Sequence, residues 1–219
     1  MLKINEIYVS IQGESSFSGF PCLFIRLSGC NLNCSYCDTR YARDSYFEKS
    51  IEDLISIVSN FGQRIVEITG GEPLIQEETP LLVNGLLNNG FIVLVETNGS
   101  LDINKIDPRA HRIIDIKCPS SGEAHMNRWE NLYVLSTGDE LKFVMQDRCD
   151  YEFAKDVLLK YEHVIGTKVP VHFSPVLDRL EPKLLANWII EDKLFVRLNL
   201  QLHKLIWPEG ELKEMLWKI

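Results

Sequence analysis

The chain of 219 residues reads as a single α/β domain (1–219) built as a partial (βα)6-type barrel. Three observations predict this. Short β-rich runs alternate with helix-like stretches, the pattern of a parallel sheet with outer helices. About six such units fit the length, fewer than the eight of a closed barrel. Each Gly-, Ser- or Cys-bearing motif directly follows an apolar run, and in parallel α/β folds the ends after the strands gather on one face.

The elements follow in order. Ile7–Ile11 alternates like a strand and leads into Gln12-Gly-Glu-Ser15. Cys22–Ser28 is a buried strand feeding a cysteine loop. Arg40–Lys49 has no clear period. Ser50 to Asp53 resembles a capping box opening a helix whose face carries Ile51, Leu54, Ile55 and Val58. Ile65–Thr69 is a strand before Gly70-Gly71-Glu72-Pro73. Thr79 and Pro80 supply an N-cap and a first-turn proline for a helix ending near Gly90. Strands follow at Phe91–Glu96, before Thr97-Asn98-Gly99, and at Arg112–Lys117, before Cys118-Pro-Ser-Ser-Gly122. Glu140–Met145 is a strand, Asp150–Lys160 a helix, Val169–Phe173 a strand, Glu181–Asp192 a helix and Phe195–Leu200 a last β-like segment.

Composition excludes several classes. The net charge of −8 does not suggest a broad nucleic-acid surface. No apolar run reaches the length of a membrane span, and Met1 to Glu6 lacks the apolar region of a signal peptide. Six cysteines are too few for a disulfide scaffold in a chain this long. The expected location is cytoplasmic.

The chemistry concentrates in Cys30-x-x-x-Cys34-x-x-Cys37. Three thiolates this close can ligate three irons of a 4Fe-4S cluster and leave the fourth iron open to a small molecule. The competing reading is zinc, which takes four ligands, usually in two pairs. No second Cys-x-x-Cys exists, and Cys22, Cys118 and Cys149 stand singly. Gly70 and Gly71 lack β-carbons, so backbone there can approach a ligand closely, and the turn's carbonyls and amides could hold an ammonium and a carboxylate. Arg26 inside an apolar strand needs an anion. Two readings stand: a salt bridge to Glu14, Glu67 or Asp115, or a clamp on a substrate carboxylate, which suits a planar guanidinium. His111, His125, His163 and His172 lack paired spacing and read as structural or surface residues, while Trp188, Trp207 and Trp217 read as core or interface residues.

The cysteine spacing followed by Gly70-Gly71-Glu72-Pro73 resembles the radical SAM (S-adenosyl-L-methionine) superfamily. Together with Gln12-Gly-Glu14, Arg26, Asp38-Thr39, Thr69 and Gln201-Leu-His203-Lys204, the chain resembles the 7-carboxy-7-deazaguanine synthase family from Gln12 to Lys204. The resemblance implies a compact radical SAM barrel with an N-terminal substrate-binding segment and a C-terminal extension (205–219). It implies conversion of 6-carboxy-5,6,7,8-tetrahydropterin to 7-carboxy-7-deazaguanine with loss of ammonia, on the route to queuosine and other 7-deazapurines. The radical chemistry belongs to the cofactor, so no side chain is assigned a catalytic acid or base role.

The implied roles follow the motifs. Cys30, Cys34 and Cys37 ligate the cluster. Tyr36, Cys37, Asp38 and Gly71 lie along SAM, with Lys117, Ser120 and Ser174 as further SAM residues. Ile11, Gln12, Gly13, Glu14, Arg26, Thr69 and His203 hold the pterin. Thr39 holds Mg2+, against the plainer reading of a loop cap. A homodimer and a reductase or flavodoxin-like electron donor are the implied partners, with no nucleic acid or membrane. Competing functions are a radical SAM activase acting on a partner protein and a non-catalytic iron–sulfur redox protein. The chain continues past His203-Lys204, and 211–218 carries Leu212, Met215, Leu216 and Trp217 as an apolar helix face.

Overall fold

The computed structural model describes residues 1–166 and 168–207. The apolar face expected at 211–218 lies outside the described residues. The elements are β1 (Leu2–Ile11), β2 (Pro21–Leu27), β3 (Phe47–Lys49), α1 (Ile51–Phe61), β4 (Ile65–Gly70), α2 (Thr79–Asn88), β5 (Ile92–Thr97), β6 (His111–Lys117), β7 (Glu140–Met145), α3 (Arg148–Lys160), α4 (Glu162–Ile165), β8 (Val171–Pro175), α5 (Pro182–Glu191), β9 (Arg197–Leu198) and α6 (Leu202–Ile206). Among the described residues they form one sheet of nine strands in the order β3-β1-β2-β4-β5-β6-β7-β8-β9. From β2 through β9 every neighbouring pair is parallel. The order runs from one edge to the other without closing, so the barrel is partial, as the strand count predicts.

Several boundaries differ from the sequence reading. The N-terminal strand spans Leu2–Ile11 rather than Ile7–Ile11, and it pairs antiparallel with both β2 and β3. An irregularity between Ile4 and Glu6 breaks the alternation that would have marked its first half. Residues 40–49 lack a period because they hold a single 3-10 turn and the three-residue β3. Ser50 does cap α1, accepting from Asp53 N–H at 3.0 Å. Thr79 does not cap α2: Glu78 occupies that position, and the Thr79 hydroxyl donates to the Pro73 carbonyl at 2.6 Å. The last β-like segment shrinks to Arg197–Leu198, beyond which Asn199 turns its amide to the Ser174 hydroxyl.

Helices cover the outer face, but not evenly. The β5–β6 and β6–β7 crossovers are made of 3-10 turns instead of α-helices. Pro108 interrupts the first; Pro119, Gly122, Asn127 and Gly138 interrupt the second, and such residues disfavour a continuous helix. The main core lies between sheet and helices and includes Leu27, Leu54, Ile68, Leu82, Val95, Ile116, Phe143 and Phe173. A second cluster fills the inner face at the strand starts: Tyr8, Cys22, Phe24, Ile65, Leu94 and Ile113. Side chains two residues apart share a face, so Arg26, Glu67, Glu96 and Asp115 follow these residues up the same inner wall. An apolar plug at the bottom thus supports a polar chamber above it.

On the outer face of β6, Arg112 forms a buried bidentate pair with Asp139, Nε–Oδ1 at 2.8 Å and Nη2–Oδ2 at 2.5 Å. Asp139 also accepts from the amide and hydroxyl of Ser136. Removing one partner strands the other charge without water. Asp139→Ala is therefore expected to lower unfolding free energy by about 3–5 kcal/mol in chemical denaturation; a loss under about 1 kcal/mol contradicts this reading.

Candidate active site

A cavity of about 250 Å3 opens at the strand ends, and it gathers nearly every residue the motifs single out. Ile11, Gln12, Gly13, Glu14, Arg26, Cys30, Cys34, Tyr36, Cys37, Asp38, Thr39, Thr69, Gly71, Lys117, Ser174 and His203 all line it. Ser120 is the exception. Its hydroxyl turns to Asp147 at 3.2 Å, and its carbonyl accepts from the Ser35 hydroxyl at 2.6 Å. It braces the cysteine loop from outside the cavity.

Glycines set the approach of the loops. A Cβ on Gly71 would sit 1.9 Å from the Gly29 carbonyl oxygen and 2.8 Å from Cys30 Cβ. Gly70 has φ +139 and lies against the Leu27 backbone, so a side chain is excluded by both conformation and space. The turn's amides are not free for a ligand as the sequence reading expects. Gly71 N–H donates to Leu27 O at 3.3 Å and Glu72 N–H to Gly29 O at 2.9 Å. Any ligand contact from this turn therefore falls to its carbonyls. Glu72 is buried and accepts from Leu74 N–H, the Thr97 hydroxyl and Asn98 N–H, tying the ends of β4 and β5 together. Burial raises its pKa.

The cysteine loop presents Cys30, Cys34 and Cys37 to the cavity, all as free thiols. Cys30 Sγ is met by Leu32 N–H at 3.5 Å and by Asn98 Nδ2 at 3.9 Å. Burial raises the Cys34 pKa. Tyr36 spans the cavity to the Val144 carbonyl at 3.0 Å. Asp38 pairs with Lys204 of α6 at 2.8 Å, which brings the C-terminal segment over the loop. Thr39 is the N-cap residue of the following 3-10 turn, yet its hydroxyl makes no capping bond; its Oγ1 lies 3.7 Å from Cys37 Sγ. That removes the plainer loop-cap reading of Thr39.

Arg26 is paired, though not with Glu14, Glu67 or Asp115. Its Nε donates to Glu6 Oε1 at 2.9 Å and its Nη2 to the Tyr8 hydroxyl at 2.7 Å. Its guanidinium lies over the Tyr8 and Tyr41 rings, and the Tyr41 hydroxyl donates to Glu6 Oε1 at 2.8 Å. Glu6 escaped the sequence reading because the irregularity in β1 hides which face it occupies. Asp115 instead binds Lys117 at 2.7 Å and keeps its buried Oδ1 unpartnered among the described residues.

The N- and C-terminal segments close the far wall. Leu202 N–H donates to Gly13 O at 3.0 Å, and a Cβ on Gly13 would meet His203 Nδ1 at 2.1 Å. Gly13 is small because the His203 ring lies on it. Gln201 donates to Glu14 Oε1 at 2.6 Å, and Lys142 to Glu14 Oε2 at 2.9 Å. Lys142 also donates to Glu96, and Gln12 to Glu67. Burial by itself pushes Glu14 up, but Lys142 and the Gln201 hydrogen bond hold it at about 2. Glu67 goes the other way: burial, then the neighbouring Glu96 and Glu14 charges, lift it well above the usual carboxylate range. Glu96 and Lys142 were not singled out from sequence, although alternating ionisable residues in apolar strands were a legible signal.

Comparison with known proteins gives a consistent result. Residues 24–163 match the profile of the Radical SAM superfamily. The chain is 45% identical to the 7-carboxy-7-deazaguanine synthase of Chlorobaculum tepidum, over 94% of each chain. It is 42% identical to that of Koribacter versatilis, over 95% of this chain and 98% of the other. The crystal structure of QueE from Escherichia coli has the same fold, with a TM-score of 0.77 at 26% identity, covering 91% of this chain and 93% of that one.

The Glu67 shift has a stability consequence. At pH below the usual glutamate range, folded and unfolded chains both hold the proton, and the group's contribution is fully present. As pH rises toward the raised folded value, the unfolded chain releases its proton first, so stability is lost. Glu67→Gln mimics the protonated acid. Its stability relative to the parent protein is expected to grow between pH 5 and pH 8 in thermal or denaturant unfolding. A difference that does not change with pH contradicts a buried neutral Glu67.

Proposed function

The chain belongs to the 7-carboxy-7-deazaguanine synthase family of the radical SAM superfamily, and from that premise we propose how its cavity divides the work. The protein is a radical SAM lyase of queuosine biosynthesis, acting on a pterin with a 4Fe-4S cluster and SAM. Its substrate is 6-carboxy-5,6,7,8-tetrahydropterin and its product 7-carboxy-7-deazaguanine, formed with loss of ammonia. The single observation carrying the site assignment is that the three thiols, the Gly70-Gly71 turn and the stacked Arg26 share one cavity.

Cys30, Cys34 and Cys37 are the cluster ligands. The donor set fits: three sulfurs on one loop, with amide N–H groups from Leu32 and Asn98 directed at one of them. Such N–H groups suit a thiolate and tune the cluster it holds. When bound, the cluster and SAM supply a carbon-centred radical that takes a hydrogen from the pterin. The chain's own residues hold and aim the reactants. Tyr36, Cys37, Asp38 and the carbonyl side of Gly71 flank SAM. Lys117 and the free Oδ1 of Asp115 offer opposite charges for its carboxylate and ammonium. Ser174, fixed by Asn199, stands at the opposite wall. Ser120 is reassigned to bracing the loop.

Arg26 binds the substrate carboxylate. Glu6, Tyr8 and Tyr41 occupy its Nε, Nη2 and faces, which, among the described residues, leaves Nη1 for a ligand. Such pre-orientation reduces the freedom lost on binding. Ile11, Gln12, Gly13, Glu14, Thr69 and His203 surround the ring system. Thr39, its hydroxyl free of any capping role, would hold Mg2+, a hard cation that takes oxygen ligands. A homodimer, a flavodoxin-like or reductase electron donor and a cytoplasmic location complete the proposal. No described helix is long and apolar enough to cross a membrane.

Two outcomes test this reading. Anaerobically reconstituted protein given reductant, SAM, Mg2+ and the pterin is expected to yield 7-carboxy-7-deazaguanine without stoichiometric loss of SAM. Arg26→Ala with an intact cluster is expected to lose about ten- to a hundredfold in kcat/KM, the scale of a removed charged hydrogen-bond partner. SAM cleavage with untouched pterin contradicts the substrate assignment and favours an activase. Separately, omitting Mg2+ is expected to suppress pterin turnover while SAM cleavage in the absence of pterin persists. Equal turnover with and without Mg2+ contradicts the role given to Thr39.

A further inference from the structure

Two cations beside the cysteine loop have no role in the assignments above. Arg40 opens the 3-10 turn Arg40–Ala42, and Arg43 follows it. Both side chains reach back to the loop that bears the thiols. Arg43 Nη2 donates to the Leu32 carbonyl at 2.5 Å and Nη1 to Asn33 Oδ1 at 3.0 Å. Arg40 Nη2 donates to the carbonyls of Cys34, at 3.0 Å, and Ser35, at 3.1 Å. The backbone ties the same segments: Gly29 N–H donates to the Ala42 carbonyl at 3.1 Å, and the Ser28 hydroxyl to the Arg43 carbonyl at 3.3 Å. Ala42 is fully buried, which anchors the turn from which both arginines project.

These bonds bear on every thiol of the loop. Leu32, whose N–H meets Cys30 Sγ, has its carbonyl fixed by Arg43. The Cys34 carbonyl accepts from Cys37 N–H at 3.3 Å and from Arg40. The planar guanidinium fork sets direction as well as distance. Its charge is the second feature. The partners of both arginines are neutral oxygens, and neither forms an ion pair among the described residues, unlike Arg26, Arg112 and Arg148. Arg43 Nε is buried and meets no acceptor there either. Arg43 also lines the cavity beside the three thiols. Two charges that cannot deprotonate therefore stand next to sulfurs that become thiolates when they ligate metal.

We propose that Arg43, assisted by Arg40, is a positioning residue that fixes the cysteine loop through its fork and raises the reduction potential of the cluster through its charge. The inference deepens the proposed function and rests on a cluster seated on Cys30, Cys34 and Cys37. Net charge near such a cluster is one of the quantities that set its potential. The reduced form carries one more negative charge than the oxidised form, so a neighbouring cation stabilises it more. An electron must enter before SAM is cleaved, and the two arginines ease that entry by acting through the cluster. Arg43, half-buried, is screened less than the exposed Arg40 and carries the larger share.

The test is a redox titration of the reconstituted holoenzyme, followed by electron paramagnetic resonance of the reduced cluster, and it needs no turnover. Arg43→Lys and Arg43→Met both lose the fork and differ in charge, so loosening of the loop is common to the two. Arg43→Met is expected to make reduction about tenfold less favourable than in Arg43→Lys, a potential about 59 mV more negative for one electron. Arg43→Lys is expected to stay within about threefold of the parent. Equal potentials in the two variants overturn the proposal, because a purely structural residue would lower cluster occupancy alike in both and leave the potential of the remaining clusters unmoved. Should Arg43→Met take up no cluster, Arg40→Gln at its exposed position decides: reduction about threefold less favourable than in the parent supports the proposal, and an unchanged potential overturns it. A parent protein that forms no cluster at all fails the proposed function itself, whereas a parent cluster indifferent to both arginines fails this inference alone.

Discussion

A lysine ion buried among three glutamates is the constraint on which the rest of the cavity depends. Moving a charge out of water costs several kcal/mol unless close partners replace the solvent. Lys142 meets that cost with Glu14 from the segment after β1 and Glu96 from β5. Glu96 sits two strands from β7 in the sheet order, while Glu14 follows β1 near the far edge, so the Lys142–Glu14 pair cannot form until the sheet curls. Gln201 then binds the other oxygen of Glu14 and brings α6 across the opening. The same electrostatic centre positions the N-terminal segment, the C-terminal segment and the middle of the sheet. It also accounts for the opposite fates of two glutamates: Glu14 beside the lysine stays charged, while Glu67 beside other carboxylates is driven toward neutrality.

A second constraint is space at the strand ends. Gly70 and Gly71 let the β4 turn pass within contact of Leu27, Gly29 and Cys30, and Gly13 lets His203 lie on the backbone. These are close approaches that one methyl group would block. They place the cysteine loop, the Gly70-Gly71 turn, Gln12 to Glu14 and His203 around one volume. The Arg26 assembly works similarly: Glu6 and two tyrosines hold the guanidinium in one orientation.

Much of this was legible in sequence, for specific reasons. Cys30, Cys34, Cys37 and Gly71 form a local pattern whose chemistry is strongly restricted, and the strands preceding them are continuous apolar runs. Alternation along the chain gave the parallel sheet and its incomplete closure. What escaped were relationships between distant residues. Glu6 as the partner of Arg26 depends on the irregularity in β1. Ser120 follows a strand as a SAM residue should, but the Asp147 carboxylate draws its hydroxyl away. Thr79 has the composition of a cap, while the Pro73 carbonyl one turn away claims its hydroxyl. Glu67, Glu96 and Lys142 were visible as ionisable residues in apolar strands; their meaning emerges only when curvature brings them together.

We propose that the cavity holds the pterin between the thiol-bearing loop and Lys142, with C6, the carbon that gives up the hydrogen, facing the radical carbon. The most direct measurement is the fate of deuterium placed at C6, read by mass spectrometry after anaerobic turnover. Deuterium recovered in the 5′ carbon of SAM is the predicted result, because it requires hydrogen to leave that position and SAM to be regenerated. Unlabelled 5′-deoxyadenosine, with all deuterium still on C6 of the recovered pterin, would contradict the placement.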